Sequence, residues 1–447
     1  MMAYLAMMTP RLLALHRVLK PTGSLYLHCD PTASHYLKIV LDTIFGPENF
    51  KNEIIWRRYG IHNDVGQGSR HFGRVHDTLL FYTRSIAAVW NQVFTPLSEE
   101  YVQTQYRTVE PETGRRFMTT PLTGPGGEAK GNPVFEWKGH TRAWRYNQAT
   151  MERLEAEGRL YYSKTGYVRQ KKYLDESKGV PVQDQWNDIP SLQGVNVERL
   201  GYPTQKPVAL LKRIIAASSN PGDMVLDPFC GCGTAIDAAQ ELGRRWLGID
   251  VTHLAVNLIK VRLANRYALK ARTDYRVVGE PEDLGGAHDL ALNDREGFEY
   301  WALSLVDARP WEGAQKKGAD KGRDGLIVFT DDETRKTRRA VVSVKSGKNI
   351  SVVDIRDLRG TMEREKAELG VFLTLSPPTK PMIEEAAEAG AYTAGHYKPV
   401  RRLQLLTVAE LLEGKAADIP GGRHNIGTFQ RAARAKPGDV QPSLLDE

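Results

Sequence analysis

The sequence predicts an α/β protein with a doubly wound, largely parallel sheet and a second, smaller α/β domain. Three observations predict this architecture. Residues 222–250 alternate strand, glycine-rich turn, helix and strand, and residues 19–30 have the pattern of a helix end, a Pro/Gly turn and a strand. Residues 290–410 repeat helix and strand patterns after a Gly/Pro-containing linker.

The most informative stretch is the one around the glycine-rich turn. An apolar run, Met224–Leu226, predicts a buried parallel strand, and a helical pattern, Ala235–Leu242, follows the turn. Asp227 ends the first strand, and Asp250 ends a second strand, Trp246–Ile249. A doubly wound sheet binds nucleoside-bearing cofactors in this way, because glycines let the backbone approach the ligand and the second acid accepts ribose hydroxyls.

The glycine-rich turn differs from that of a dehydrogenase. From Asp227 to Thr234 its sequence is Asp-Pro-Phe-Cys-Gly-Cys-Gly-Thr rather than Gly-x-Gly-x-x-Gly. A dehydrogenase turn places a pyrophosphate at the helix N-terminus. The leading acid here suits a cationic ligand without phosphate, which predicts S-adenosylmethionine.

This turn, preceded by Tyr-Pro-Thr-Gln-Lys-Pro at 202–207, resembles that of the amino-methylating DNA methyltransferases, which modify adenine N6 or cytosine N4. The resemblance covers about residues 1–270 and implies a Rossmann-like fold, S-adenosylmethionine as cofactor and double-stranded DNA as substrate. It also implies that Asp250 binds the ribose and that Thr204 and Lys206 lie near the methionine end. The full implied cofactor set is Thr204, Lys206, Asp227, Pro228, Phe229, Gly231, Gly233, Thr234 and Asp250.

The N-terminal residues support the same resemblance. After an amphipathic helix at Met1–Leu19, residues 19–30 resemble the family's fifth-strand segment, and a helix is expected at Ala33–Ile44. His76–Thr83 resembles its last sheet hairpin. The catalytic half therefore precedes the cofactor half, which is the order of the family's beta group, with the target-recognition region between the halves.

The family's catalytic tetrapeptide is missing. It consists of Asp, Asn or Ser, then Pro-Pro and an aromatic residue, which accept the amine's hydrogens and stack on the flipped base. Asp227–Phe229 lacks the second Pro, Ser376–Thr379 ends in Thr, and Asn187–Pro190 does not fit. The catalytic residues are therefore unknown, and the fourth strand of the methyltransferase sheet is expected to be absent.

Two interpretations remain open. Either Met1 is an internal Met of a longer gene, or the chain is a truncation, a catalytically silent DNA-binding protein. In both cases we expect the polypeptide alone to be poorly stable, because a parallel sheet without a central strand exposes its edges and core.

The region between the two halves, residues 91–195, mixes aromatic and basic side chains and is predicted to recognise the DNA target. The alternative is that Trp137, Trp144 and Tyr162 form a small core of a charged insert. The candidate DNA-binding residues of the whole chain are Arg57, Arg58, Arg145, Lys171 and Lys172.

The C-terminal residues predict a separate α/β domain. Its expected elements are a helix at Glu296–Val306, strands at Gly325–Phe329 and Arg339–Ser346, a helix at Val353–Leu369 and a strand at Gly370–Leu375. This order resembles the restriction-endonuclease-like fold, whose metal site uses an acid before one strand and an acid-x-Lys on the next.

Asp324, Lys345 and Glu299 fit the nuclease pattern, with Asp324 as the Mg²⁺ ligand. Ser343 stands where an acid or Gln is expected, and Mg²⁺ prefers carboxylate oxygens, so cleavage requires Glu299 or Asp320 as a replacement ligand. The alternatives are a restriction–modification fusion with Mg²⁺-dependent cleavage and a DNA-binding module.

Composition sets the remaining expectations. A net charge of +7 favours a polyanionic partner, and the three cysteines show no zinc-site spacing. No apolar run has membrane-spanning length, so a cytoplasmic DNA enzyme is expected, either homodimeric or with a restriction–modification partner. The predicted domains are 1–90 (catalytic half), 91–195 (target recognition), 196–275 (cofactor half), 285–415 (endonuclease-like) and 416–447 (flexible tail).

Overall fold

The structure is a computed structural model that describes residues 1–60, 66, 68–163, 166–193, 196, 198–200, 202, 204–311, 323–330, 336–422 and 426–428. The chain forms two compact units. One comprises Met1–Asn91 and Gln185–Glu447, and the other comprises Gln92–Asp184. None of the described helices combines the length and hydropathy that a membrane crossing requires.

The N-terminal residues form a small antiparallel sheet covered by two helices. The elements are α1 (Met2–Val18), β1 (Ser24–Cys29), α2 (Pro31–Phe45), β2 (Phe50–Arg57) and β3 (His76–Thr83). Strand β3 lies between β1 and β2 and pairs antiparallel with both. Leu12, Leu37 and Leu41 are fully buried between the helices and the sheet. Asp30 begins α2 by accepting a hydrogen bond from Thr32 N.

The second unit carries its own core. Its elements are β4 (Phe94–Thr95), α3 (Glu99–Gln105), β5 (Thr108–Val109), β6 (Arg116–Pro121), β7 (Val134–Trp137), β8 (His140–Ala143), α4 (Gln148–Ala156), β9 (Leu160–Tyr162), β10 (Val168–Tyr173) and β11 (Val180–Pro181). The main sheet has the order β5-β6-β10-β9. Trp137 and Trp144 pack with Met151 in the core of this unit, as expected if they form the core of a charged insert. Tyr162 is exposed and does not belong to that core.

The chain then returns to the first unit. The elements are β12 (Gln185–Trp186), α5 (Val208–Ser218), β13 (Met224–Asp227), α6 (Thr234–Glu241), β14 (Arg245–Gly248) and α7 (His253–Tyr267). Strand β12 pairs parallel with β2, and β13 pairs parallel with β14 in a separate two-stranded sheet.

The prediction that β13 is buried is wrong. Met224 and Leu226 are 43% and 36% exposed, and Leu247 of β14 is 46% exposed. Val225 and Trp246 point the other way and pack against α5 and α6. One face of this sheet is therefore covered by helices, while the other is open to solvent in the described part of the chain.

The C-terminal residues form a five-stranded mixed sheet with helices on both faces. The elements are α8 (Leu284–Asn293), α9 (Arg295–Leu305), β15 (Arg309–Pro310), β16 (Gly325–Thr330), β17 (Thr337–Lys345), α10 (Val352–Arg364), β18 (Leu369–Thr374), α11 (Lys380–Glu388), β19 (Ala391–Tyr392), β20 (Val400–Arg401), β21 (Leu403–Thr407) and α12 (Val408–Leu412). The sheet order is β15-β16-β17-β18-β21. Trp301 packs on one face of the sheet and Leu358 on the other.

The end of α10 differs from the prediction, and most of the predicted tail lies outside the described residues. The helix predicted at Val353–Leu369 ends at Arg364, because Lys366 adopts a left-handed backbone with φ +52°. Of the predicted tail, 416–447, the structure describes only 416–422 and 426–428.

Candidate functional site

The glycine loop, residues 228–233, connects the end of β13 to the start of α6. Beyond the paired strands, Ile249 N donates to Asp227 O at 2.9 Å and Cys230 N donates to Ile249 O at 3.0 Å. Gly233 precedes α6 with a left-handed backbone, φ +75°. These bonds fix where the loop leaves the sheet.

The two loop glycines are required by close contacts. A Cβ atom on Gly233 would lie 2.6 Å from Ile259 Cγ1, and one on Gly231 would lie 3.0 Å from Tyr202 Cε1. Both residues also have positive φ. The loop backbone therefore packs closely against Tyr202 and Ile259, which leaves no room for a side chain at either glycine.

Two carboxylates meet at this loop. Asp250 Oδ2 accepts a hydrogen bond from Gly231 N at 2.9 Å, and its Oδ1 accepts from Thr252 N at 2.9 Å. Asp227 Oδ1 accepts from Phe229 N at 3.1 Å. Burial raises the pKa of Asp227, and the nearby charge of Asp250 raises it further. The two acids thus lie at one edge of the sheet, Asp227 at the end of β13 and Asp250 just beyond the end of β14.

The segment that precedes α5 folds back on itself. Thr204 has a left-handed backbone, φ +66°, and its carbonyl accepts a hydrogen bond from Lys206 Nζ at 3.1 Å. Burial lowers the pKa of Lys206, and the charge of Asp77 partly offsets that effect. Lys206 therefore lies close to the end of the first sheet. Pro203 of the same motif lies outside the described residues.

A polar cluster that the sequence analysis missed lies at that end of the first sheet. His28 Nε2 is 2.8 Å from Asp77 Oδ2, and Arg58 Nε is 3.1 Å from Asp77 Oδ1. Asp77 is buried, and burial also lowers the pKa of His28. The one available signal was the polar end of β1, because the antiparallel pairing of β1 with β3 brings these side chains together.

The candidate DNA-binding residues occupy different environments. Lys171 Nζ lies 2.6 Å from Glu110 Oε1 within the second unit. Hydrogen bonds from Lys171, Thr113 and Tyr173 together lower the pKa of Glu110 to about 2. Arg57 donates to Tyr59 O at 3.1 Å. Arg58 is held by Asp77 as described above. Arg145 and Lys172 are exposed.

Among the described residues, the nuclease-like positions are not arranged as a metal site. Asp324 is buried, and its Oδ2 accepts hydrogen bonds from Val344 N at 2.6 Å and from Ser343 Oγ at 3.2 Å. Lys345 and Glu299 are half-buried, and Asp320 lies outside the described residues. In the described part of the chain no group of three potential metal ligands comes together. The described residues therefore fit Mg²⁺ poorly, because Ser343 offers a hydroxyl where a second carboxylate is expected.

Comparison with known proteins gives two family matches. A family model described as DNA methylase matches residues 1–261. A model described as restriction endonuclease matches residues 291–413.

Individual proteins resemble the N-terminal part. The Type II methyltransferase M.EcaI of Enterobacter cloacae is 34% identical over 268 residues, which are 59% of this chain and 58% of that protein. The Type III restriction-modification enzyme StyLTI Mod subunit of Salmonella typhimurium is 29% identical over 254 residues, which are 54% of this chain and 38% of that protein. The chain thus spans about half the length of the curated relatives it matches. The structure of TTHA0409 from Thermus thermophilus, complexed with S-adenosyl-L-methionine, is 16% identical, with a TM-score of 0.31, and the match covers 59% of this chain and 77% of that one.

The steric role of Gly233 is testable by substitution. Gly233→Ala should destabilise the protein by more than the roughly 1–2 kcal/mol of a left-handed alanine, because its Cβ would also collide with Ile259. Gly222→Ala is the matched control, since Gly222 has φ +83° but nothing within 4 Å of a Cβ. Urea denaturation measures both changes. Equal losses of unfolding free energy in the two variants would show that the contact with Ile259 does not contribute to the destabilisation.

Proposed function

This chain belongs to the DNA methylase family, and we propose that it contributes to methyl transfer from S-adenosylmethionine to the exocyclic amine of adenine (N6) or cytosine (N4) in DNA. The single observation that carries this proposal is the meeting of Asp227, Asp250 and the glycine loop at one sheet edge. DNA as substrate favours action in the cytoplasm within a restriction–modification setting. A second copy of the chain is a further candidate partner.

The residues around the loop suit this cofactor. Asp250 accepts hydrogen bonds from Gly231 N, Thr252 N and Thr252 Oγ1, which leaves about one of its four lone-pair sites for a ribose hydroxyl. Asp227 provides negative charge for a cationic ligand, and the exposed Phe229 offers an aromatic surface beside it. Thr204 and Lys206 are the proposed contacts for the methionine end.

The cofactor supplies an activated methyl group, whereas the chain must also hold the acceptor amine. Residues 1–447 contain no Asp/Asn/Ser-Pro-Pro-aromatic tetrapeptide. Full transfer therefore depends on groups that accept the amine's hydrogens from outside these residues. Without them the chain acts as a DNA-binding protein, which is the second interpretation.

The second unit is the proposed target-recognition region. Exposed Arg145 and Lys172 are its candidate phosphate or base contacts. Lys171 is a weaker candidate, because its charge is already paired with Glu110. Trp137 and Trp144 support the unit from its core.

A second candidate function concerns the C-terminal domain. We infer that this domain binds DNA without cleaving it, because Ser343 donates to Asp324 in the place where a carboxylate is expected. Lys345 and Lys348 can contact phosphates without a metal. The competing function, Mg²⁺-dependent cleavage, requires a further carboxylate ligand beside Asp324 in the place that Ser343 occupies.

Cofactor binding is tested at Asp250. Asp250→Ala should weaken S-adenosylmethionine binding about 10–150-fold, because charge-assisted hydrogen bonds to the ribose are lost. Asp223→Ala is the control, since Asp223 accepts from Asn220 N at the opposite end of β13. Calorimetric titration compares the two variants, and unchanged affinity in Asp250→Ala would remove the ribose assignment.

Methyl transfer is tested with tritium-labelled cofactor and mixed-sequence DNA. A polypeptide of residues 1–447 should incorporate no label, because the acceptor tetrapeptide is missing from it. Joining in frame a preceding segment that carries such a tetrapeptide should restore incorporation, and Asp227→Ala should then abolish it. Clear incorporation by residues 1–447 that depends on Asp227 would show that another segment performs the acceptor role.

The metal site is tested at Ser343. The unaltered chain should bind duplex DNA in a salt-dependent way without Mg²⁺-dependent nicking. Ser343→Glu adds the missing carboxylate, so Mg²⁺ should raise the melting temperature and the nicking rate of this variant, but not of the Ser343→Ala control. Efficient cleavage by the unaltered chain, lost in Asp324→Ala and Lys345→Ala, would establish the nuclease instead.

A further inference from the structure

A network of charged side chains lies buried beneath the glycine loop. At its centre the side chains of Asp237 on α6 and Arg262 on α7 are 0% and 1% exposed. Arg266, one turn further along α7, also approaches Asp237 and donates from Nη2 to Glu241 Oε2 at 2.8 Å. Glu241 pairs in turn with Lys212 of α5. The network therefore joins the three helices that flank the proposed cofactor site.

Arg262 differs from the other members because it reaches the loop itself. Its Nη1 donates to Cys232 O at 3.1 Å and lies 3.4 Å from Thr234 Oγ1. Its Nε lies 3.4 Å from Asp237 Oδ2. One guanidinium thus contacts both the loop backbone and the helix that follows it.

Burial of this group has a physical consequence. A buried guanidinium is costly unless its donors are matched, and its planar fork suits simultaneous contacts with two acceptors. Cys232 is itself 3% exposed, so without Arg262 its carbonyl would lie in a nearly dry environment. The Arg262 contact therefore favours the loop conformation in which Cys232 O faces α7.

We propose that Arg262 is a positioning residue that holds the glycine loop in its cofactor-binding conformation. This inference rests on the proposed use of the loop for S-adenosylmethionine. Arg262 acts through the loop backbone, so its loss should weaken cofactor binding although the side chain lies beneath the loop.

The competing explanation is that Arg262 only stabilises the packing of α6 against α7. Arg266 separates the two explanations, because it reaches the same Asp237 carboxylate but its bonds go to side chains of α6. Arg266→Met should therefore lower stability while leaving the loop in place. Arg262→Met should affect both stability and the loop.

The experiment uses the full chain and three variants: Arg262→Met, Arg262→Lys and Arg266→Met. The first readout is S-adenosylmethionine affinity by calorimetry, at a temperature where thermal melting shows each variant to be folded. Arg262→Met should raise the Kd about tenfold, Arg262→Lys should recover part of that loss, and Arg266→Met should leave it unchanged. The second readout is hydrogen exchange of the Gly231 and Gly233 amides without cofactor, which should quicken about tenfold only in Arg262→Met.

The outcomes separate this inference from the proposed function. If the unaltered chain binds no S-adenosylmethionine, the proposed function fails, and the exchange rates still decide whether Arg262 holds the loop. If the unaltered chain binds cofactor and both Met variants change Kd and exchange equally, Arg262 has only a packing role. Unchanged exchange and affinity in folded Arg262→Met also overturn the inference.

Discussion

The parallel pairing of β13 with β14 is the constraint on which the proposed site depends. It sets Asp227 opposite Gly248, so both strands leave the sheet at the same edge. Backbone hydrogen bonds continue past the strand ends, from Ile249 N to Asp227 O and from Cys230 N to Ile249 O. They bring Asp250 within hydrogen-bonding distance of Gly231 N. Two acids that are distant in sequence therefore become neighbours. The conformation of the glycine loop and its contact with Arg262 of α7 both depend on this strand pairing.

The sequence predicts the loop well because its constraints are local. Positive φ at Gly231 and Gly233, the acid at each strand end and the spacing between them are all encoded within one short stretch. Partners that are distant in sequence cannot be predicted in this way. Lys171 is one of several adjacent basic residues in the sequence, and only the fold shows that Glu110, 61 residues away, neutralises it. Arg262 likewise occurs within a basic helical pattern, and its contact with Cys232 O is visible only in three dimensions.

The burial of β13 and the end of α10 were likewise not predictable from local sequence. The apolar residues of β13 indicate a strand, but they do not reveal which faces neighbouring elements cover, and Met224 and Leu226 are exposed as a result. The early end of α10 depends on a left-handed Lys366, a residue type that gives no signal for that conformation.

In the C-terminal domain one side chain, Ser343, departs from the nuclease pattern although the strands follow it. Its sheet places Asp324 and Lys345 on adjacent strands, as a nuclease would, yet the hydroxyl of Ser343 turns the arrangement into a hydrogen-bonded contact within the sheet. A carboxylate at that position would repel Asp324 unless a cation lay between them, so such a site depends on its metal for stability. With Ser343 the hydroxyl instead donates to Asp324, so this contact forms without a metal. A module that holds DNA without cutting it is compatible with methylation of the same DNA molecule, whereas an active nuclease in the same chain would need methylation to protect its substrate first.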